Sequence, residues 1–317
     1  MRFPFTGVIP VDKPAGATSR QVVDAVARAL SLKAVGHAGT LDPLAAGVVV
    51  VCVGHATKLV DFLHQLPKRY EVGFLLGRSS PSDDLETAVT EELDPRPPSR
   101  EELDAALPAF RGDIMQVPPI YSAIKIAGER AYDLAREGQA VEIAPRPARV
   151  DRFELIERPD ADTAIFHVQS GKGVYMRSLA RDLARACGTV GHIAALRRLR
   201  VGPFLEAHGI PLDSLLVSGD TPPPSPDLLL PVTTALADIP ALAVTEAEAA
   251  RLFQGQALSL VDLMGRVPDA ADPNGGLVRA MAGGRLIGLC RLEDGWMHPE
   301  RVLIGERAEA GGEEPQS

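Results

Sequence analysis

The stretch that most limits how this chain can fold is GHAGTLDPLAAGVVVVCVG, residues 36–54. Its apolar run VVVVCV, bounded by Gly47 and Gly54, is too short and too rich in β-branched residues for a helix, and predicts a buried strand at 48–53. A single carboxylate, Asp42, is left on the loop that leads into that strand. In Thr40-Leu41-Asp42-Pro43 the proline holds its predecessor away from helical geometry, and glycines at 36, 39 and 47 permit a tight, closely approaching backbone. An arbitrary Asp-Pro pair does no more than make a turn, so composition alone does not make Asp42 functional.

Around this strand the chain reads as a mixture. Residues 7–12 predict a short strand. Thr18 and Gln21 have the form of a capping box, and Val22, Val23, Val26 and Leu30 recur at helical spacing, predicting a helix over 19–31. Residues 69–76 predict another strand, 79–100 an exposed acidic loop, 99–110 a helix capped by Ser99, 163–169 an extended segment, and 177–187 a helix closed by Gly188. Strands and helices follow no regular βαβ alternation, which favours an α+β fold with a mixed, mainly antiparallel sheet. The proline-rich stretch 217–231 reads as a semi-rigid connector. Beyond it, short strand candidates such as GLVRAMA and RLIGLCRL indicate a small β-rich domain, and the last residues a disordered tail.

At 317 residues, 45% hydrophobic and 24% charged, the chain suits one large and one small globular domain. The N-terminus lacks the basic and apolar regions of a signal peptide and no apolar run approaches membrane-spanning length, so a cytoplasmic protein without a membrane partner is expected. Cys52, Cys187 and Cys290 fit no zinc-ligand spacing; reduced thiols are expected, with no metal and no disulfide. The formal charge of -9 taken alone argues against a nucleic-acid partner. Its distribution argues the other way: Lys172, Arg177, Arg181, Arg185, Arg197, Arg198 and Arg200 stand against the single acid Asp182, and could follow a phosphate backbone.

The motifs decide between these readings. HAGTLDPLAAGVVVVCVGHATKL (37–59) closely resembles the catalytic motif of the TruB family of tRNA pseudouridine-55 synthases. DKPAGATS (12–19) is similar to the family's first motif. KRYEVGFLLG (68–77), QVPPIYSAIKIAGERAYDLAREG (116–138), GKGVYMRSLARDLA (171–184) and LRRLRVGPF (196–204) follow in the family's order, so the resemblance covers roughly 7–204. It implies a pseudouridine-synthase fold over 1–238, a PUA-like RNA-binding domain over 239–306 and a tail at 307–317. It also implies the activity: uracil is detached from C1' of a T-loop uridine of tRNA, turned, and rejoined through C5. Substrate and product are isomers, so no cofactor is expected, and the chain is expected to act as a monomer without an obligatory protein partner.

Carried over by motif, the resemblance makes Asp42 the catalytic aspartate, either attacking C1' or acting otherwise at the glycosidic carbon. Arg177 becomes its cationic partner, suited to that task because a guanidinium stays charged when buried, and Tyr70 the active-site tyrosine that stacks on the base. His37, Lys13, Lys68, Tyr175 and Asp84 become substrate-binding neighbours. Without the motifs, Arg177, Arg181 and Arg185 would read as a solvated helix stripe and Tyr70 as a core tyrosine. One departure concerns SPSDDLET (80–87), which retains Asp84 but lacks the family's central aspartate and final glycine. A guide-RNA-dependent relative and a tRNA-binding or folding protein with secondary catalysis are the alternatives.

Overall fold

The computed structural model describes residues 5–91, 96–122, 124–126, 128–137, 142–216 and 228–303. Strand β1 (Gly7–Lys13) turns into helix α1 (Ser19–Ala29), and β2 (Val35–His37) and β3 (Ala46–Val53) flank the Asp42 loop. Helix α2 (Val60–Leu63) precedes β4 (Lys68–Leu76) and the small ribbon of β5 (Arg78–Ser79) and β6 (Thr90–Glu91). Next come α3 (Arg100–Ala106), β7 (Gly112–Gln116), a second ribbon of β8 (Lys125–Ile126) and β9 (Glu129–Arg130), and α4 (Ala131–Arg136). Strands β10 (Arg146–Glu157) and β11 (Thr163–Ser170), helix α5 (Met176–Ala186), strands β12 (Gly191–Val201), β13 (Phe204–Leu205) and β14 (Ile210–Pro211), and helix α6 (Leu212–Leu215) complete the larger part. After α7 (Val232–Ala235), the smaller part consists of β15 (Ala241–Ala243), α8 (Glu246–Phe253), β16 (Leu258–Ser259), β17 (Leu277–Ala282), β18 (Arg285–Glu293) and β19 (Trp296–Val302).

Ten strands form one sheet in the order β14-β1-β3-β12-β4-β11-β10-β7, with β2 added on β3 and β13 on β12. Only β1 with β14 and β3 with β12 run parallel; the other pairs are antiparallel, as the absence of βαβ units predicts. The valine run lies within this sheet and is buried on both faces. Val49, Val51 and Val53 join one core with Ile9, Val22, Val26 and the packed rings of Phe74, Phe153 and Phe166. Val48, Val50 and Cys52 join a second core with Val8, Leu59, Phe204 and, from the smaller part, Leu289 and Leu303. Each such side chain contributes roughly 1.5–3 kcal/mol, so a polar residue anywhere in 48–53 would injure one core or the other.

The smaller part is a five-stranded sheet ordered β15-β17-β18-β19-β16 with α8 against it. Besides the shared core, Lys58 donates its Nζ to the carbonyl of Val302 at 2.9 Å, fastening the two parts together. Among the described residues no helix is long and apolar enough to cross a membrane. The three cysteines are free, with Cys52 and Cys290 buried and Cys187 half-buried.

Several boundaries differ from expectation. Helix α1 stops at Ala29, short of residue 31, because Ser31 takes φ 51° and leaves the helical region. Helix α3 gives way to a 3-10 turn at Leu107–Phe110, since Pro108 has no amide hydrogen to extend the ladder. The segment expected as an exposed loop from 79 is not exposed at its start: Ser80, Ser82 and Asp84 are buried. Of the connector, 217–227 lie outside the described residues, as does the tail; by Leu230 the chain is back on β1, exchanging two 2.9 Å hydrogen bonds with Val8.

The parallel contact of β3 with β12 depends on one glycine. Gly47 pairs with Arg198 at φ +105°, and a Cβ there would stand 2.3 Å from the carbonyl oxygen of Arg198. Gly47→Ala is expected to lower stability by about 2–4 kcal/mol through the forced separation of these strands, read as a fall of several degrees in a thermal melt. An unchanged melting temperature would show that the strands separate at no cost.

Candidate functional site

Asp42 sits at the floor of a cleft of about 700 Å³ between the 39–43 loop, β4, the start of α5 and segments around 84–86 and 116–124. The loop that carries it is held almost entirely through its main chain. Ser19, in the first turn of α1, uses one hydroxyl twice, accepting from the Leu41 amide at 2.9 Å and donating to the Leu41 carbonyl at 3.0 Å. The Gly16 amide donates to the Pro43 carbonyl at 2.7 Å. From β12, Arg198 reaches under the loop: its guanidinium donates to the carbonyls of Val48 (2.6 Å), Gly39 (3.1 Å) and Thr40 (3.2 Å), and the residue is 1% exposed. Gly39, at φ +123°, is the second position that favours glycine, because side-chain-bearing residues rarely adopt that backbone conformation, although a Cβ would have room 3.7 Å from this guanidinium.

Lys13 completes the support, and its expected role changes accordingly. It is fully buried, and its ammonium group faces the carbonyls of Ala45 (2.5 Å), Ala17 (2.6 Å), Pro14 (3.0 Å) and Pro43 (3.3 Å). Burial pushes its pKa down to about 8, with the nearby Asp42 charge opposing the shift. No donor surface remains for a substrate, so Lys13 holds the loop from behind instead of lining the cleft.

Arg177 lies in the first turn of α5, where the amide dipoles make a cation unfavourable and no acidic residue stands in that turn to compensate it. Its compensation comes from two loops. The guanidinium is 3.0 Å from Asp42 Oδ2 through Nη2 and 3.3 Å from Asp84 Oδ2 through Nη1, which also donates to the Ser82 carbonyl at 3.3 Å. The arginine side chain is 6% exposed while that of Asp42 keeps 33% of its surface open, so the carboxylate faces the cleft and its partner lies behind it. Burial pushes the Asp42 carboxyl above its ordinary pKa; Arg177 opposes that shift, and the neighbouring charges of Asp84 and Glu86 add to it.

The start of α5 is fixed by Gln116 of β7, whose side-chain amide accepts from the Tyr175 amide (2.8 Å) and donates to the Tyr175 carbonyl (3.1 Å). Tyr175 therefore presents its ring to the cleft, and burial raises its hydroxyl pKa. On β4 the inward face runs Lys68, Tyr70, Val72, Phe74, Leu76; the last three enter the core, Lys68 lines the cleft, and Tyr70 belongs to both the core and the cleft wall. Lys68 donates to the His64 carbonyl at 2.6 Å, and burial lowers its pKa to about 8.

Thus Asp42, Arg177, Tyr70, Lys68 and Tyr175 are brought together, as expected for a common site. Asp84 is at the same wall but is 1% exposed and engaged by Arg177, with its Oδ1 accepting from the Glu86 amide at 2.9 Å; it is a partner of the arginine, with little surface left for a substrate. His37 is half-buried on β2 and does not line the cleft; His64 does, a position the sequence reading passed over. The reading also missed Arg198 as a support of the loop, although it stands in the LRRLR motif. The basic run 172–200 is mostly consumed internally: Arg177 and Arg198 as above, Arg181 on Asp83 and Asp182, and Arg197 on Asp12 and Glu206. It is therefore no continuous phosphate track. Among the described residues no three His, Cys, Asp or Glu side chains are grouped to hold a metal ion.

The mixed ten-stranded sheet is the fold of the pseudouridine synthases, and by its relatives the chain is an RNA-modifying isomerase of that class. The fold is shared with the Cbf5-Nop10-Gar1 complex crystal structure (TM-score 0.69, 25% identity, 94% of this chain and 85% of that one). It is likewise shared with an H/ACA ribonucleoprotein bound to a substrate RNA containing 2'-deoxyuridine (TM-score 0.66, 23% identity, the same shares), a likeness of fold alone.

The chain belongs to the TruB family. Residues 27–176 match the TruB family pseudouridylate synthase N-terminal domain, 177–237 the tRNA pseudouridylate synthase B C-terminal domain, and 240–303 the pseudouridine synthase II TruB C-terminal domain. A tRNA pseudouridine synthase B of Gluconacetobacter diazotrophicus is 64% identical over 95% of this chain and 98% of its own length, and one of Bradyrhizobium diazoefficiens is 49% identical over 97% and 89%.

The electrostatics of Asp42 are directly measurable. In a carbon-13 NMR titration its carboxyl is expected to titrate above the ordinary value of 3.8, and Arg177→Met to move the midpoint further up, because the guanidinium favours the ionised form. A midpoint that stays put or falls in the variant would mean that the arginine does not govern the charge of Asp42.

Proposed function

We propose that this protein converts the T-loop uridine at position 55 of tRNA to pseudouridine, with Asp42 as the catalytic carboxylate, Arg177 as its charge partner and Tyr70 as the residue stacked on the target base. The observation that carries the reading is the Asp42–Arg177 pair at the floor of a net-cationic cleft. Lys68, Arg146, Lys172, Arg177 and Arg198 line that cleft against Asp42, Asp84 and Glu86, five cations to three carboxylates, so an anionic RNA meets a favourable local field despite the overall charge of -9.

The chemistry follows from what each group can do. A uridine folded into an RNA loop hides its glycosidic bond, and the base must be turned out into a pocket and stacked there. The cleft has room for a nucleotide, with Tyr70 and Tyr175 in its walls and Asp42 below. The ionised carboxylate acts at the sugar carbon as the bond from C1' to N1 breaks. Uracil then turns, C5 bonds to C1', the C5 proton is lost to solvent and N1 gains one, so no atom is gained or lost. Arg177 keeps the carboxylate ionised where burial favours its neutral form. Lys68 and Tyr175 contact the nucleotide from the cleft wall.

On this reading residues 1–238 carry the isomerisation and 239–306 form a PUA-like module that holds RNA beyond the cleft. The chain acts in the cytoplasm as a monomer, without an obligatory protein partner or added cofactor.

Tritium release from a T-arm hairpin carrying 5-tritiated uridine, with the purified chain alone, tests these assignments. Wild type is expected to release tritium, and Asp42→Asn to lose turnover by roughly 10⁴-fold while still binding the hairpin. Arg177→Lys should lower turnover on the order of 10²-fold with little change in affinity, since lysine cannot reproduce the fork. Release by Asp42→Asn at the wild-type rate would reduce Asp42 to a turn former. Undiminished turnover in Tyr70→Phe would remove the hydroxyl, though not the ring, from the mechanism.

A further inference from the structure

Segment 80–87 touches the Arg177 side of the site and is unusual in how it is held. Arg177 Nη1 contacts two of its groups, the Ser82 carbonyl and the Asp84 carboxylate, while the buried Arg177 Nε has no hydrogen-bond partner among the described residues. The fork is consequently oriented from its far end only, by Asp42 on one side and this segment on the other. Where the segment sits decides where the guanidinium points.

Two devices fix the segment. The first is a pair of hydroxyls: Thr87 Oγ1 accepts from the Ser82 amide at 3.0 Å and lies 2.8 Å from Ser82 Oγ, which in turn accepts from the Thr87 amide at 3.2 Å. The second is Arg181, one turn beyond Arg177 on α5. It is bonded to Asp83 Oδ2 (2.9 Å), to both carboxylate oxygens of Asp182 (2.8 and 3.2 Å) and to the Val117 carbonyl (2.7 Å). Asp83 takes φ 57°, a conformation that aspartate tolerates better than most residues. Its carbonyl accepts from the Ile193 amide of β12 at 3.1 Å, and its amide donates to the Ser80 carbonyl at 3.1 Å. The residue next to Asp84 is thus tied to α5, to β12 and to the segment itself.

We propose that Arg181 and Asp83, with the Ser82–Thr87 hydroxyl pair, form a clamp that sets the position of Asp84 and through it the orientation of Arg177 toward Asp42. They are positioning residues for the isomerisation, a role that rests on the assignment of Asp42 and Arg177 made above. Arg181 is therefore committed to the protein and does not bind a phosphate.

The test uses the full chain and the tritium-release assay, with wild type and Asp42→Asn alongside. Arg181→Met and Asp83→Asn are each expected to lower kcat by about 10-fold to 10²-fold, the scale of a misplaced catalytic group, with KM within about two-fold of wild type. The double variant is expected to be no worse than the poorer single one, because both changes open the same clamp. Thr87→Ser should keep wild-type kcat and Thr87→Val should lose it. That conservative rescue is the readout a general loss of stability would not give, and it decides the matter if Arg181→Met fails to fold. Wild-type kcat in the folded Arg181 and Asp83 variants overturns the clamp. So does a raised KM with unchanged kcat and a shallower salt dependence in Arg181→Met, which would make that arginine a phosphate contact. Failure of wild type itself to release tritium would instead overturn the functional reading, so the two failures are distinguishable.

Discussion

Burying a carboxylate beside a reacting bond is possible only where a cation is buried with it, and in this protein the ion pair of Asp42 with Arg177 meets that requirement. An unpaired charge in such a place protonates or costs several kcal/mol. The arginine in turn starts a helix, where its charge is unwelcome, and needs the second carboxylate of Asp84 from another loop. Three separate pieces of chain therefore have to meet within one guanidinium's reach. Much of the surrounding architecture, from the Gln116 bonds at the start of α5 to the carbonyls gathered by Lys13 and Arg198, keeps those pieces in register.

The same economy explains why charge counts mislead. Lys13 and Arg198 are cations spent on carbonyl oxygens, and Arg181 and Arg197 are spent on neighbouring acids. What an RNA meets is the charge that lines the cleft, that of Arg198 included, and there the balance is positive although the whole chain is acidic. Buried cations also do something surface cations cannot: they pull the Asp42 loop inward by its main chain, leaving its side chain as the part free to face the cleft.

Much of this was legible in the order of the residues. The strand at 48–53, the Thr18 capping box, the strand carrying Tyr70 and the mainly antiparallel sheet follow from local pattern, and the motifs pointed to Asp42, Tyr70 and Arg177 as one site. What could not be read was the destination of polar groups whose partners are distant in sequence. Lys13 looks like a substrate contact until the carbonyls of Pro43 and Ala45 arrive over it. Asp84 looks exposed because its neighbours are acidic, yet Arg177 draws it inward. His64 carries no local signal, since its place on the cleft wall depends on β4 and the Asp42 loop meeting beside it. Helix α8 had a signal, the Thr245–Glu248 capping box, which the strand-like stretches around it obscured.

The valines of β3 have a consequence beyond holding the larger sheet together. Their second face packs into the same core as Leu289 and Leu303, and Lys58 bonds the Val302 carbonyl nearby. The five-stranded sheet is thereby mounted on the very strand that follows the Asp42 loop, and the two share one support. A substitution at Val48, Val50 or Cys52 therefore acts at once on the seat of the smaller sheet and on the strand behind the Asp42 loop.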